Sequence, residues 1–514
     1  MKIAIKKGWQ QPKPIEDEII AFLKPNTWDD HGFKTTFRLE LILPERVVEI
    51  GNVSIAFEGM PKGKKVASIP NCDMLPEEFF SLGFGEKYYW NLKRLGDKIR
   101  ESVLLGLRDL AYDIERFEGL LLESDKELED TVIEKSLLRH NRRDIVGRQL
   151  HRIAHGGARF LGFQLTVPVD FENLNELAFN VQPESHPPSN VHALIGSNGV
   201  GKTYMISQIV NKVAGSSDPA TIVSEEGQLD FLNVVLVAFS PFDWNASFDE
   251  ADDSHFDASD FKFVGLARPV AAQVDEEEDE AEADVNKHGT ENKSSLELRE
   301  EFEKYVEECK QGDKLSWLRA ALATLESDPV LSSNSAYLHA SQAEKIDPVK
   351  LADEFSELSS GHKIVLLTIA ALVAEVHEGT LVLVDEPENH LHPPLLSSFI
   401  RALSELLHDR NGLAVVGTHS PVVLQEIPRN CVWKIHRSGD LSTAERPLIE
   451  TFGENVGVLT REVFGLQVNE SGFYKMLSDA ASNCDTYEQV LEKFGGELGG
   501  EAKALVRALL ANKE

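Results

Sequence analysis

The spacing of apolar positions changes along this chain, and the change marks out its parts. Phe33, Phe37, Leu39 and Leu41 alternate with Lys34, Thr36, Arg38 and Glu40, a period of two that predicts a half-buried strand. Pro44 and Glu45 can turn it into a second strand over Val47 to Phe57. Ile99, Val103, Leu107, Leu110, Ile114 and Phe117 then recur at helical spacing and predict one long amphipathic helix. A second helical region is expected from Lys126 to about Ala154. Residues 1–158 therefore read as an N-terminal α+β domain of unknown role.

Beyond Phe160 the pattern becomes strand and helix in alternation. Phe163 to Val169 and Leu177 to Val181 read as strands. Val191 to Ile195, Leu232 to Phe239, Thr380 to Val384 and Leu413 to Gly417 are continuous apolar runs, suited to strands buried on both faces. Helices are expected over Tyr204 to Val213, 294–311, 313–326 and Ile364 to Val376. This alternation predicts an α/β sheet core over residues 159–470, followed by a helical tail, 471–514. An insertion spans about 241–340; its first part, 241–293, is polar and poor in pattern, and 272–293 is expected to be disordered.

Charge sharpens the picture. The net charge is −33, and eight of the ten residues from Asp275 to Asp284 are acidic. Such a field repels nucleic acid at long range, so any contact with it needs a local basic patch. The segment Lys135 to Arg159 carries seven Lys or Arg against one acid, Asp144. Arg139, Arg142, Arg143, Arg148 and Arg152 are its candidates for phosphate contact. A solvated helix face is the plainer explanation, because no aromatic residues interleave with the charge. Cys72, Cys309, Cys431 and Cys484 are scattered and predict neither a disulfide framework nor a zinc site. No export signal is read at the start, and the longest mainly apolar run, Ile364 to Val376, is too short to span a bilayer. The expected compartment is the cytoplasm.

The chemistry begins at Gly196-Ser197-Asn198-Gly199-Val200-Gly201-Lys202-Thr203, followed by Tyr204. A glycine-rich loop between a strand and a helix turns several N–H groups and the positive helix end toward one anion. Lys202 can reach outer phosphates, and the Thr203 hydroxyl can hold a magnesium ion, so a nucleoside triphosphate is the expected ligand. The later strand Thr380 to Val384 ends in Asp385 and Glu386, an acid for the metal and a base for an attacking water. Leu358-Ser359-Ser360-Gly361-His362 opens a helix and forms a second anion site. The strand Leu413 to Gly417 delivers Thr418-His419-Ser420-Pro421, where His419 can reach a terminal phosphate.

In this order the four segments resemble the ABC-type ATPase heads. GSNGVGKT resembles the Walker A loop, LVLVDE Walker B, LSSGH the signature and THSP the switch-histidine loop. The wording DEPENHLHP and the segment Glu450 to Leu466 are similar to stand-alone prokaryotic AAA-family ATPases grouped near SMC, RecF and OLD proteins, among them the Septu-type ATPases of anti-phage defence. The resemblance implies a P-loop fold, ATP and Mg2+ as ligands, and a homodimer that sandwiches nucleotide. It implies that Ser359 and Gly361 act on the partner's ATP, that Lys202, Glu386 and His419 act in their own subunit, and that Asn389 and His390 lie near the seam. It further implies a separately encoded effector, of nuclease type.

Two departures stand out. His362 replaces the usual Gln, and Ser240 to Asp243 carries no Gln where the Q-loop should begin. An ATP-hydrolysing dimer competes with a nucleotide-gated scaffold of little turnover, a DNA-repair ATPase and a transporter subunit. Glu386 favours the first.

Overall fold

The computed structural model describes residues 1–5, 19–26, 32–44, 46–63, 72–124, 131–139, 141, 143–213, 219–224, 227–228, 231, 233–238, 261–269, 290–310, 314–325, 333–342, 346–469 and 472–511. Arg142, Ser240, Asp243 and the run Asp275 to Asp284 lie outside them. Two compact units result, residues 1–161 with 307–316, and residues 162–306 with 317–514.

In the first unit five strands lie in chain order: β1 (Lys2–Ile5), β2 (Ile20–Pro25), β3 (Thr36–Ile42), β4 (Val47–Phe57) and β5 (Phe79–Gly83). The β1–β2 pair is parallel and the others are antiparallel. The period of two does its work here: Ala21, Leu23, Phe37, Leu39, Leu41, Val53 and Ile55 share a core with Tyr88, Tyr89, Leu92 and Val103 of the helices, while Ile20 and Phe22 point the other way.

The expected long helix is corrected. The chain forms two helices, Asp97–Gly106 and Ile114–Ser124, separated by a turn in which Arg108 has φ of 50°. Asp109 causes the break. Its buried carboxylate accepts from the N–H of Ala111 at 3.0 Å and of Tyr112 at 3.1 Å, and from the Tyr89 hydroxyl at 3.0 Å. A short acid that satisfies local N–H groups competes with the helical ladder. Leu107 and Leu110 still reach the core, so the apolar period persists although the helix does not. In the second helical region Ile133–Leu137 is followed by one unbroken helical run formed by Arg143–Ile145, Val146–Leu150 and His151–Ala154.

The second unit holds an antiparallel sheet, β10-β9-β6-β7, of β6 (Phe163–Phe171), β7 (Leu174–Val181), β9 (Thr221–Ser224) and β10 (Gly227–Gln228). Beside it runs a seven-stranded sheet in the order β12 (Phe261–Gly265), β11 (Asn233–Ala238), β15 (Thr380–Asp385), β16 (Leu413–Thr418), β8 (Val191–Ile195), β17 (Val432–Ser438) and β18 (Leu441–Glu445). Only the β17–β18 pair is antiparallel. Every residue of β8, β11, β15 and β16 is buried, as continuous apolar runs in a parallel sheet require. Leu194, Leu236, Leu383 and Val415 pack with Ile206 and Ile209 of the helix Lys202–Val213 and with Leu165 and Phe179 of the antiparallel sheet. The fold of this unit is an α/β core whose mostly parallel sheet carries the glycine-rich loop at the end of β8.

Register decides what this core can do. Asp385 pairs with Gly417, and Thr418 with Ile195. The C-terminal ends of β15, β16 and β8 therefore lie side by side, where ligands bind in open parallel sheets.

The insertion is corrected at two places. Phe261–Gly265 forms the sheet-edge strand β12, within the stretch read as patternless. Thr290–Asn292 (β14), inside the segment expected to be disordered, pairs with Ala267–Pro269 (β13). Both strands are too short to show a period, and pairing with a neighbour is what fixes them. No helix among the described residues is long and apolar enough to cross a membrane.

Asp109 gives a testable pH dependence. Burial raises its carboxyl from 3.8 to about 7, against the lowering effect of the Tyr89 and backbone donors. A folded pKa above the unfolded one means that stability is fully present below pH 3.8 and declines as pH rises toward about 7. Asp109→Asn, which keeps an acceptor oxygen, is expected to flatten that decline. Urea midpoints of both proteins across the interval test this, and parallel curves would refute it.

Candidate functional site

The phosphate loop leaves β8 and enters the helix Lys202–Val213. Gly199 and Gly201 hold φ of +81° and +96°, values that residues with a Cβ rarely adopt, and a Cβ at Gly196 would strike the Ile435 carbonyl. Lys202 is buried, and its Nζ donates to the carbonyls of Gly196 and Ser197 at 3.2 Å each. Asn198 is exposed, Val200 closes the turn onto Ser197, and Tyr204 faces solvent.

The Thr203 hydroxyl donates to Asp385 Oδ2 at 2.8 Å, joining the helix start to the end of β15. Both supply hard oxygen ligands. Among the described residues no group of three or more His, Cys, Asp or Glu could hold a metal by itself. This pair suits a cation such as Mg2+, which keeps water or phosphate oxygens in most of its positions.

Glu386 follows in the left-handed region, with φ of 46°. Its N–H donates to the Gly417 carbonyl at 2.8 Å, which locks the turn to the neighbouring strand end. Its Oε1 stands 3.6 Å from Lys202 Nζ and 3.8 Å from His419 Nδ1, and its Oε2 accepts from Asn389 Nδ2 at 3.1 Å. The His419 ring is the largest influence on its carboxyl, which is held down to about 2 with help from Asn389 and Lys202 and against partial burial. The same contact, with Glu388 adding, raises His419 above 6.5 despite burial and nearby Lys202.

The signature segment is built differently. Leu358 is buried, Ser359 and Ser360 are exposed, and the helix Ser360–Glu375 begins there. The Ser359 hydroxyl lies 3.0 Å from His362 Nδ1 instead of capping its helix. Gly361 backs onto the His390 carbonyl, which a Cβ would approach within 2.9 Å. The signature thus abuts the turn that follows Glu386.

Of the basic residues, Arg143 pairs with Glu134 at 2.6 Å, and Arg152 Nε donates to the Ala158 carbonyl at 2.9 Å. Arg139 and Arg148 also belong to the first unit.

One site residue escaped the motif reading. Glu388 Oε1 accepts from Thr418 Oγ1 at 2.7 Å and from the His419 N–H, and it lies 3.1 Å from His419 Nδ1. Its signal was the third acid of DEPEN.

A family model described as "AAA domain, putative AbiEii toxin, Type IV TA system" matches residues 214–425. Protein ea59 of Escherichia phage lambda is 34% identical over 536 aligned residues, which cover 98% of this chain and 97% of ea59. Among solved structures, cbiO1 of Clostridium perfringens, part of the ABC transporter complex cbiONQ, is 15% identical across 59% of this chain and 94% of its own, with a TM-score of 0.26. UvrA2 of Deinococcus radiodurans is 16% identical across 59% of this chain and 39% of its own, also with a TM-score of 0.26.

The Glu386–His419 contact predicts a direction. Because the carboxylate favours the protonated ring, Glu386→Gln should lower the His419 midpoint. Ring titration by NMR measures it, and a midpoint that stays put or rises contradicts the assignment.

Proposed function

The chain belongs to the family of protein ea59 of Escherichia phage lambda and matches an AAA domain model over residues 214–425, and on that premise we propose that it is a P-loop ATPase of ABC type that binds ATP with Mg2+, hydrolyses it and closes as a dimer around it. The observation that carries the reading is the Thr203–Asp385 hydrogen bond of 2.8 Å, with Lys202 and Glu386 3.6 Å apart beside it.

In this proposal the backbone from Gly196 through Ser197, Asn198, Gly199, Val200 and Gly201 binds phosphate oxygens at the start of a helix, with Tyr204 just beyond. Lys202 exchanges its two carbonyl partners for the outer phosphates. Thr203 and Asp385 hold Mg2+, which when bound neutralises phosphate charge. Glu386 orients the attacking water, and His419 donates to the terminal phosphate. While Lys202 and His419 lie against it, Glu386 is a weak proton acceptor, since a carboxyl at about 2 stays ionised. Phosphates that draw both cations away would raise its basicity when the water is in place.

The exposed Ser359 and Ser360, with Leu358, Gly361 and His362 behind them, would complete the nucleotide site of a second copy. A separately encoded effector and a role in anti-phage defence extend the proposal on motif resemblance alone. Contact with nucleic acid through Arg139, Arg143, Arg148 and Arg152 would use the first unit.

Three variants test it. Lys202→Ala should weaken ATP binding by about a hundredfold or more in calorimetry. Glu386→Gln should keep binding but cut turnover by about 10²–10³. Ser359→Arg should bind ATP as a monomer without turning it over. Mixing the last two inactive proteins should restore turnover, because a heterodimer pairs an intact Glu386 site with an intact signature. No recovery on mixing, or normal turnover by Ser359→Arg alone, would sink the dimer.

A further inference from the structure

Glu388 lies on the short turn Pro387–Asn389, and its side chain is only 8% exposed. The turn is already tied to β16 without it, since the Glu386 N–H reaches the Gly417 carbonyl at 2.8 Å. Thr418 adds a further tie through its hydroxyl, 2.7 Å from Glu388 Oε1, and that hydroxyl also accepts from the Ser420 N–H at 2.9 Å. A structural clamp needs no more than this. Yet the same Oε1 also accepts from the His419 N–H and lies 3.1 Å from His419 Nδ1.

One oxygen thus accepts the backbone N–H of His419 and stands at ion-pair distance from its ring, whose Nδ1 makes no hydrogen bond among the described residues. The anchored backbone and the nearby carboxylate favour one orientation of a side chain that is 35% exposed. The second carboxylate, Glu386, faces the same ring nitrogen at 3.8 Å. Both acids lie on the Nδ1 side, so Nε2 is the nitrogen that neither engages. Lys202 supplies the remaining charge near the ring.

We propose that Glu388 is a positioning residue for His419, holding Nδ1 inward so that Nε2 is the atom offered to the terminal phosphate. The phosphate in this statement rests on the ATPase reading above, while the hold on His419 stands on the geometry alone.

Two measurements on the full chain test it. In ATP turnover, Glu388→Ala should lower kcat about ten- to a hundredfold and change KM by less than about threefold. Glu388→Gln keeps an acceptor oxygen and should recover most of that loss. In a His419→Ala background, Glu388→Ala should cost nothing further, because the two act as one unit. The second measurement needs no turnover. In nucleotide-free protein, hydrogen-exchange protection of the His419 amide should fall about tenfold or more in Glu388→Ala and persist in Glu388→Gln. Should Glu388→Ala fail to fold, Glu388→Met, which fills similar space without an acceptor, carries the same expectations. A kcat loss that persists without His419, or an amide whose protection is unchanged, overturns the proposal. A wild-type chain with no turnover, but whose His419 amide is released by Glu388→Ala, overturns the ATPase reading and supports the hold.

Discussion

Between the Thr203 hydroxyl and the Asp385 carboxylate, 2.8 Å apart, segments 182 residues distant in the chain meet. That meeting requires β8, β16 and β15 to lie side by side and in register, so that the loop after β8 and the acid ending β15 emerge at one edge. A slip of one residue in either pairing would reverse the side chains of a strand and carry Asp385 away from the loop. These strands are buried on both faces, and ties at their ends, such as the Glu386 N–H to the Gly417 carbonyl at 2.8 Å, help to hold the register. The core's main task in this unit is to hold that edge.

At the edge, charge is balanced within a small group. Lys202 is shared between two loop carbonyls and Glu386, and His419 between Glu386 and Glu388. Each cation sits where an incoming anion could claim it. Partly buried ion pairs of this kind are not built chiefly for stability, since desolvation offsets much of their attraction. Their arrangement makes better sense as a charge pattern kept ready for a ligand.

Much of this was legible in the sequence. The phosphate loop, Asp385, Glu386 and His419 announced themselves because glycine spacing and acids at strand ends are dictated by local backbone geometry. The parallel strands could be read because complete burial leaves continuous apolar runs. The helix over Ile99 to Phe117 was misread because an apolar period reports which residues reach a core, and it survives a turn inserted by Asp109. Strand β12 was missed because its place depends on pairing with β11, which the five residues Phe261–Gly265 cannot declare. Glu388 was hidden for a related reason: its partners, Thr418 and His419, stand about thirty positions away along the chain.

Gly361 carries one more implication. Its backbone rests against the His390 carbonyl, four residues beyond Glu386, with no room for a side chain between them. In a dimer of the proposed kind, a copy that grips its neighbour's nucleotide through Ser359 presses on the turn that shapes its own catalytic centre. The two centres would then be in mechanical conversation, each sensing across this contact whether the other is filled.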